Sequence, residues 1–243
     1  MPHDDDRRSP IPLWSLPLLA GLLPIVAALT ALWLSIAMGL VPSCNPLPLL
    51  DGCVSISRAA RHDLPNYIFR AIILPTALLQ TLTWILCAAW LKQMETQTRT
   101  LLRVLPWLGV LAGLVLIIYG TFLGTEGLMY RFLRRQGITN YFGFTYICMV
   151  IASGSLWRLA HTGLTALPAR LAWLLPAACA ITLVIGLIQA FGPLFLDSED
   201  LKDRLGNLME WYAAFSLSLF FFALAWLWRR ARFGVQLVSG NRS

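Results

Sequence analysis

Charged residues are scarce in this chain, and that scarcity argues against a soluble protein. Asp, Glu, Lys and Arg together make up 13% of the 243 residues, whereas hydrophobic residues make up 58%. A soluble domain is about one quarter charged. Because several apolar runs are also longer than a core helix requires, the sequence indicates an integral membrane protein.

Histidine and lysine are rarer still. The 3 histidines lie far apart and no HxxxH or HExxH pattern occurs, so we expect no metal site. A Gly-rich phosphate loop is also missing, which leaves no basis for a nucleotide or another cofactor. Of the 19 basic residues, 17 are Arg and 2 are Lys. This bias is typical of a GC-rich genome, and we therefore expect a bacterial inner membrane.

Six apolar segments are long enough to cross a bilayer, for which about 20 residues suffice. They predict an all-α, polytopic membrane domain over residues 12–232, between a disordered tail at 1–11 and a C-terminal tail at 233–243. Six crossings put both termini on the same side. The predicted spans cover residues 12–41, 67–91, 101–123, 141–159, 171–193 and 208–228.

The basic residues predict the orientation. Eleven lie at the termini and in the second and fourth loops, and eight lie on the opposite side. Because basic residues are enriched on the cytoplasmic side of membranes, both termini are expected in the cytoplasm. The first, third and fifth loops, at 42–66, 124–140 and 194–207, then share the outer face. This distribution also accounts for the net charge of +7 without nucleic acid as a partner.

Two of the 5 cysteines, Cys44 and Cys53, lie together in the first loop. In an oxidising compartment they would form a disulfide, and otherwise they are two free thiols; the sequence leaves both readings open. Cys87, Cys148 and Cys179 lie within apolar spans, where we expect them to act as small hydrophobic residues.

Polar side chains concentrate in residues 53–70, between two apolar spans. Arg70 lies about one turn inside the second span, and Glu210 lies near the start of the sixth. The predicted topology places both at one outer level, where an ion pair would offset the burial of each charge. One interpretation is a lipid-headgroup site in which Arg70 binds phosphate together with Arg58 or Arg61. The other is a structural ion pair, or two side chains that extend to the headgroup region.

Two local patterns predict packing and surface contacts. Glycines four residues apart occur twice in the third span, at Gly109 with Gly113 and at Gly120 with Gly124, which predicts close approach of a neighbouring helix. Residues 127–137 place three arginines at helical spacing beside apolar residues. We expect a short amphipathic helix at the membrane surface, ahead of the fourth span.

Three features of the chain resemble the Frag/DRAM/Sfk family, which includes the DRAM autophagy modulators and a Golgi protein of GPI-anchor lipid remodelling. They are VSISRAA at 54–60 with PNYIFRAIILP at 65–75, MEWYAAFSLSLFFF at 209–222, and the six-span layout. Val54 departs from the GPI-related members, which have proline there. The resemblance implies work on membrane lipids from the outer face, without an agreed catalytic mechanism. Its motifs point to Ser55, Ser57, Asn66, Arg70, Glu210 and Trp211.

The leading hypothesis is an integral membrane protein that binds lipid headgroups at an outer polar site and influences lipid remodelling or distribution. In this hypothesis Arg58 and Arg70 contact phosphate, Ser55 and Ser57 donate hydrogen bonds, and Glu210 orients Arg70. The first alternative is an intramembrane lipid acyltransferase or hydrolase with an outer serine or histidine and Glu210 as base. The second is a structural subunit of a membrane complex. Expected partners are membrane lipids, and a membrane protein or a second copy of the chain.

Overall fold

The structure, a computed structural model, describes residues 11–43, 48–94, 99–161 and 173–235. Within these ranges, six helices are long and apolar enough to cross a membrane, which confirms the predicted all-α membrane fold. Two helices of one turn, α2 (Pro48–Asp51) and α3 (Ile56–Ala59), lie between the first two. The six long helices are α1 (Ser15–Ala37), α4 (Asp63–Met94), α5 (Arg99–Phe122), α6 (Leu128–His161), α7 (Leu174–Phe191) and α8 (Glu199–Arg230).

The six long helices form a closed ring. Each packs against its neighbour in the order α1, α4, α5, α6, α7 and α8, and α8 returns to pack against α1. Small buried residues on α1, such as Ala20, Ala27 and Ala31, allow its neighbours to approach closely. Large apolar side chains such as Trp33 and Trp107 point outward, as a lipid-facing surface requires. The six helices therefore enclose a buried interior, separate from the lipid-facing surface.

Two short strands join the ends of the described chain. Strand β1 (Ile11–Pro12) pairs antiparallel with β2 (Gly234–Val235), and the Leu13 amide donates to the Phe233 carbonyl at 3.1 Å. The predicted terminal tails at 1–11 and 233–243 include Ile11 and β2, and these two segments are hydrogen-bonded to each other. Both ends of the described chain thus lie at one end of the ring, as an even number of crossings requires. That this end faces the cytoplasm stays a prediction.

The first, third and fifth loops meet at the other end of the ring, called here the polar end. It comprises residues 48–62, 123–127 and 192–198 together with the adjoining first turns of α4 and α8. The Asn66 amide donates to the Leu123 carbonyl at 3.0 Å, and Asn207 donates to the Gly52 carbonyl at 2.8 Å. The predicted gathering of these three loops is confirmed.

The helices extend further into the loops at this end than the hydropathy predicted. Helix α6 begins at Leu128, so the amphipathic segment predicted as a separate surface helix is the first three turns of the span. No proline interrupts residues 128–161, and nothing forces the helix to break. Helix α8 begins at Glu199, where Glu199 and Asp200 in the first turn interact favourably with the helix dipole. Residues 171–172 of the fifth predicted span lie outside the described residues.

The glycines of α5 face α4. A Cβ on Gly109 would lie 2.5 Å from the Cβ of Trp84, and one on Gly120 would lie 3.0 Å from Ile73. Gly124 has φ of +86°, and its missing side chain leaves room for the Arg61 carbonyl. The predicted close approach is confirmed within one chain, between α4 and α5.

We expect Gly109→Leu to destabilise the fold. The root of the buried Trp84 side chain cannot move without moving the α4 backbone, and overpacking of this kind costs about 1–3 kcal/mol. Thermal unfolding of the protein in detergent should show a melting temperature lower by several degrees. Gly154→Leu is the control, because a Cβ at Gly154 meets nothing within 4 Å. Equal stability of the two variants would contradict the assigned packing.

The orientation can be measured with single cysteines in the full chain. We expect Ser198→Cys, exposed at the polar end, to react with a membrane-impermeant maleimide in intact cells. Arg232→Cys, exposed near the paired termini, should react only after permeabilisation. The wild-type chain measures the background from its own cysteines. The reverse labelling pattern would show that the termini lie outside.

Candidate functional site

The one-turn helix α3 presents the central serine of the site. Ser55 precedes it in extended conformation and accepts a hydrogen bond from the Arg58 amide at 3.1 Å, which is the geometry of an N-cap. Ile56 and Ala59 are buried in the core. With these two side chains turned inward and the cap in place, Ser57 faces α8.

Two residues of α8 hold the first loop in place. Asn207 donates to the Gly52 carbonyl, and the Trp211 indole donates to the Val54 carbonyl at 2.9 Å. Residues 207, 210 and 211 lie on one face of a helix. Asn207 and Trp211 therefore bind the backbone of the loop. Glu210 lies between them in the sequence and reaches Ser57.

Glu210 and Ser57 form the centre of the site. One carboxylate oxygen, Oε1, accepts from the Ser57 amide at 2.9 Å and from its hydroxyl at 2.5 Å. The Ser57 Oγ also lies 3.0 Å from the Tyr119 hydroxyl. Since the single proton of Ser57 goes to Glu210, Tyr119 is the donor in the second bond. The Ser55 hydroxyl also interacts with the Glu210 carboxylate.

A cavity of about 430 Å³ opens from this centre between α6, α7 and α8. Each helix contributes a glycine to its lining, at Gly143, Gly186 and Gly206, and a Cβ on any of them would meet nothing within 4 Å. The missing side chains create the space. Other lining residues are mostly apolar, and Leu183 and Leu187 are about half exposed, so the cavity is open at the surface of the protein. The cavity therefore runs from the lipid-facing surface to Ser57 and Glu210.

A second cavity of about 50 Å³ lies on the inner side of Glu210. Its lining includes Tyr119, Gln80 and Tyr141. Gln80 donates to the Ala20 carbonyl at 3.1 Å and accepts from the Tyr141 hydroxyl at 2.9 Å, so it hydrogen-bonds to two neighbouring helices. Glu210 lines both cavities, so it lies between the larger cavity and the interior of the ring.

Two arginines, Arg61 and Arg134, interact electrostatically with Tyr119 at this centre. Arg61 interacts electrostatically with Glu210 and with Tyr119, and its Nε is buried with no hydrogen-bond partner among the described residues. Arg134 donates to the carbonyls of Phe122 and Thr125, which satisfies the C-terminal end of α5. Arg61 and Arg134 are close enough to interact with each other.

The other predicted residues lie apart from the centre. Arg58 is on the surface and reaches Asp203 at 4.0 Å. Asn66 is buried and donates to the carbonyls of Ala60 and Leu123, so its amide ties loops together. Arg70 is half-buried. Among the described residues it forms no ion pair with Glu210, and the pairing we predicted between them is not present.

The structure describes four of the five cysteines. Cys87, Cys148 and Cys179 are buried free thiols, which agrees with their predicted role as small hydrophobic residues. Cys44 lies outside the described residues. Its bridge to Cys53 therefore stays a prediction.

Sequence reasoning missed Tyr119 and the three cavity glycines, and it named Arg61 only as a substitute for Arg58. Tyr119 carried a signal, because a tyrosine hydroxyl within an apolar span needs a hydrogen-bond partner. Gly137, whose Cβ would lie 3.2 Å from that of Tyr119, allows α6 to pack directly over it. The cavity glycines carried no such signal, since isolated glycines are common in membrane helices.

A comparison with protein-family models matches residues 12–229 to the Frag1/DRAM/Sfk1/Cwh43P N-terminal domain. The match includes the six long helices almost entirely and every residue of the site. Comparisons with curated proteins and with solved structures found no match. The chain belongs to the Frag1/DRAM/Sfk1/Cwh43P family of membrane proteins.

Proposed function

We propose that this membrane protein binds a lipid, with an acyl chain in the cavity between α6, α7 and α8 and the polar group at Ser57 and Glu210. By holding a lipid there it influences the remodelling or distribution of membrane lipids. The observation that supports this most directly is the cavity itself, which joins a hydrogen-bonded carboxylate to the lipid-facing surface of the ring.

The size and lining of the cavity suit such a ligand. Ligand pockets in proteins have volumes of about 300–1,000 Å³ and are mostly apolar with a few placed polar groups. At about 430 Å³, this cavity has Ile138, Phe142 and Met209 along its walls and Ser57 with Glu210 at one end. The apolar walls can replace the van der Waals contacts that an acyl chain has in the bilayer, while the polar group of the lipid meets hydrogen-bonding partners.

The location of the site follows from the same proposal. The polar end carries the three loops predicted to lie outside, so the bound lipid comes from the outer leaflet of a bacterial inner membrane. Arg58 and Arg70 do not line the cavity, so the proposed headgroup site does not include them. In this proposal the headgroup contacts Ser57 and Glu210, and Tyr119 lies beside them.

We expect Gly186→Trp to abolish lipid retention without unfolding the protein. A side chain at Gly186 has open space, so the indole would occupy the cavity in place of an acyl chain. Native mass spectrometry of the purified protein should show a copurifying lipid in the wild type and none in the variant.

Gly154→Trp is the matched control, since Gly154 is also unobstructed but does not line the cavity. It should keep the lipid. A wild-type protein without a specific lipid, or a Gly186→Trp variant that retains it, would refute the proposed function.

The second candidate is lipid acyl transfer or hydrolysis, which one contact favours. The Ser57 hydroxyl donates to Glu210 Oε1 at 2.5 Å and lies on the cavity wall, the relation of a nucleophile to a general base. In this reaction Ser57 Oγ attacks the acyl ester carbonyl and Glu210 takes the proton. The departing alcohol receives that proton, and water or another hydroxyl then releases the acyl group from Ser57.

If the site is catalytic, Ser57→Ala and Glu210→Gln each reduce turnover by about 100-fold or more, the contribution of a general base. Liquid chromatography with mass spectrometry would follow fatty acid and lysolipid released from an isotope-labelled phospholipid. Ser153→Ala, a buried serine deeper in α6, is the control. A wild-type protein that retains lipid but releases no product would leave the binding function and eliminate the catalytic one.

A further inference from the structure

The polar groups at one end of the cavity between α6, α7 and α8 have no proton left to donate. The Ser57 hydroxyl gives its single proton to Glu210 Oε1, and its oxygen accepts from Tyr119. A carboxylate only accepts hydrogen bonds, and about four can be made to it. Ser57 supplies two and the Ser55 hydroxyl at most one more, so acceptor capacity remains on Glu210. This end therefore favours a ligand with a hydrogen-bond donor.

The charge of the lining restricts that donor further. Among the described residues that line the two cavities, Glu210 is present and no Arg or Lys occurs. The arginines of the polar end, including Arg58, Arg61 and Arg134, are not part of the lining. A negative group beside Glu210 would be repelled by the carboxylate, with no cation in the cavity to offset the repulsion.

This restriction excludes the common anionic groups of lipids from the position beside Glu210. A fatty acid carries a carboxylate and phosphatidic acid carries a phosphate. An amine-bearing phospholipid brings a phosphate next to its amine, so it meets the same repulsion. An uncharged donor meets none, and in glycerolipids the uncharged donor is a hydroxyl group.

An uncharged donor of the protein lines another wall of the same cavity. Gln189 on α7 is exposed, and its side chain makes no hydrogen bond within the described chain. The amide group of glutamine has two N–H donors, and ester carbonyl oxygens accept hydrogen bonds. The cavity thus offers acceptors at Ser57 and Glu210 and a donor at Gln189. A lipid with a free hydroxyl beside an ester has the complementary groups.

We propose that the lipid is an uncharged glycerolipid with a free hydroxyl, of the diacylglycerol class. Its hydroxyl donates to Glu210, and an ester carbonyl accepts from Gln189. One acyl chain occupies the cavity, and the other stays in the bilayer through the opening beside Leu183 and Leu187. This inference rests on the proposed function, since it names the ligand of the same site.

The test is a competition among three lipids with identical acyl chains. Dioleoylglycerol, its 3-acetyl ester and dioleoyl phosphatidic acid are offered in equal amounts, in detergent micelles, to the immobilised and delipidated full chain. The acetyl ester removes the hydroxyl without adding charge, and phosphatidic acid replaces the hydroxyl with a phosphate. Retained lipid is extracted and quantified by liquid chromatography with mass spectrometry. Gly186→Trp, whose indole fills the cavity, measures lipid that is held elsewhere.

We expect the wild type to retain dioleoylglycerol over each of the other two lipids by about tenfold or more, the contribution of a hydrogen bond to a charged group. Glu210→Gln keeps the size of the side chain and an acceptor oxygen for Ser57, but it removes the negative charge. The preference over phosphatidic acid should therefore fall by about tenfold. Asp203→Asn is the matched control, because Asp203 is an exposed carboxylate of the same helix that does not line the cavity. It should keep the wild-type preference.

Gln189→Leu tests the ester contact. The side chain is exposed and makes no hydrogen bond within the described chain, so the substitution should leave the fold intact. Retention of dioleoylglycerol should fall about fivefold, the contribution of one hydrogen bond between neutral groups. Unchanged retention would show that Gln189 does not bind the ester.

The outcomes separate the two proposals. Equal retention of the three lipids by the wild type, or a preference for phosphatidic acid, would refute the diacylglycerol assignment and leave lipid binding intact. If the wild type retains no more of any lipid than Gly186→Trp does, the proposed function fails as well. A Glu210→Gln variant with the wild-type preference would show that the carboxylate does not select the polar group. The wild-type comparison decides the assignment even if a substitution prevents folding.

Discussion

The hydrogen bonds from Ser57 to Glu210 join the first loop to the last helix across 153 positions of the chain, and the polar end depends on them. A carboxylate among apolar helices requires donors, and the backbone and hydroxyl of Ser57 supply two to one oxygen. Asn207 and Trp211 bind the loop backbone on either side. Because α8 also packs against α1, fastening the loop to α8 completes the ring at this end.

Glycine serves two opposite purposes in this fold. On α5, Gly109 and Gly120 allow α4 to approach until a Cβ would overlap its side chains. On α6, α7 and α8, three glycines have open space beside them and leave a cavity instead. The difference lies in the neighbouring helix, since α4 and α5 are in close contact whereas α6, α7 and α8 surround an opening. One half of the ring is packed tightly, and the other can admit a ligand.

Arginines at the polar end differ in what surrounds them. Arg58 and Arg204 are exposed and lie near acidic residues, and such surface ion pairs contribute little to stability. Arg61 is partly buried, with Glu210 and Tyr119 in its electrostatic environment. Charges interact more strongly in a low dielectric, so Arg61 contributes more to the electrostatic environment of Glu210 than the exposed arginines do. Counting basic residues could not rank them, because burial is a property of the folded chain.

Hydropathy alone determined the six spans, the all-α membrane fold and the meeting of three loops at one end. It also singled out Glu210, because the cost of a carboxylate in an apolar span is visible in the local sequence. The partner of Glu210 was decided only by the tertiary structure. Each helical residue is turned about 100° from the next, so Phe69 is buried in the core while Arg70 points elsewhere. The cavity likewise exists only where three glycines from separate helices meet, and no single stretch of sequence records that meeting.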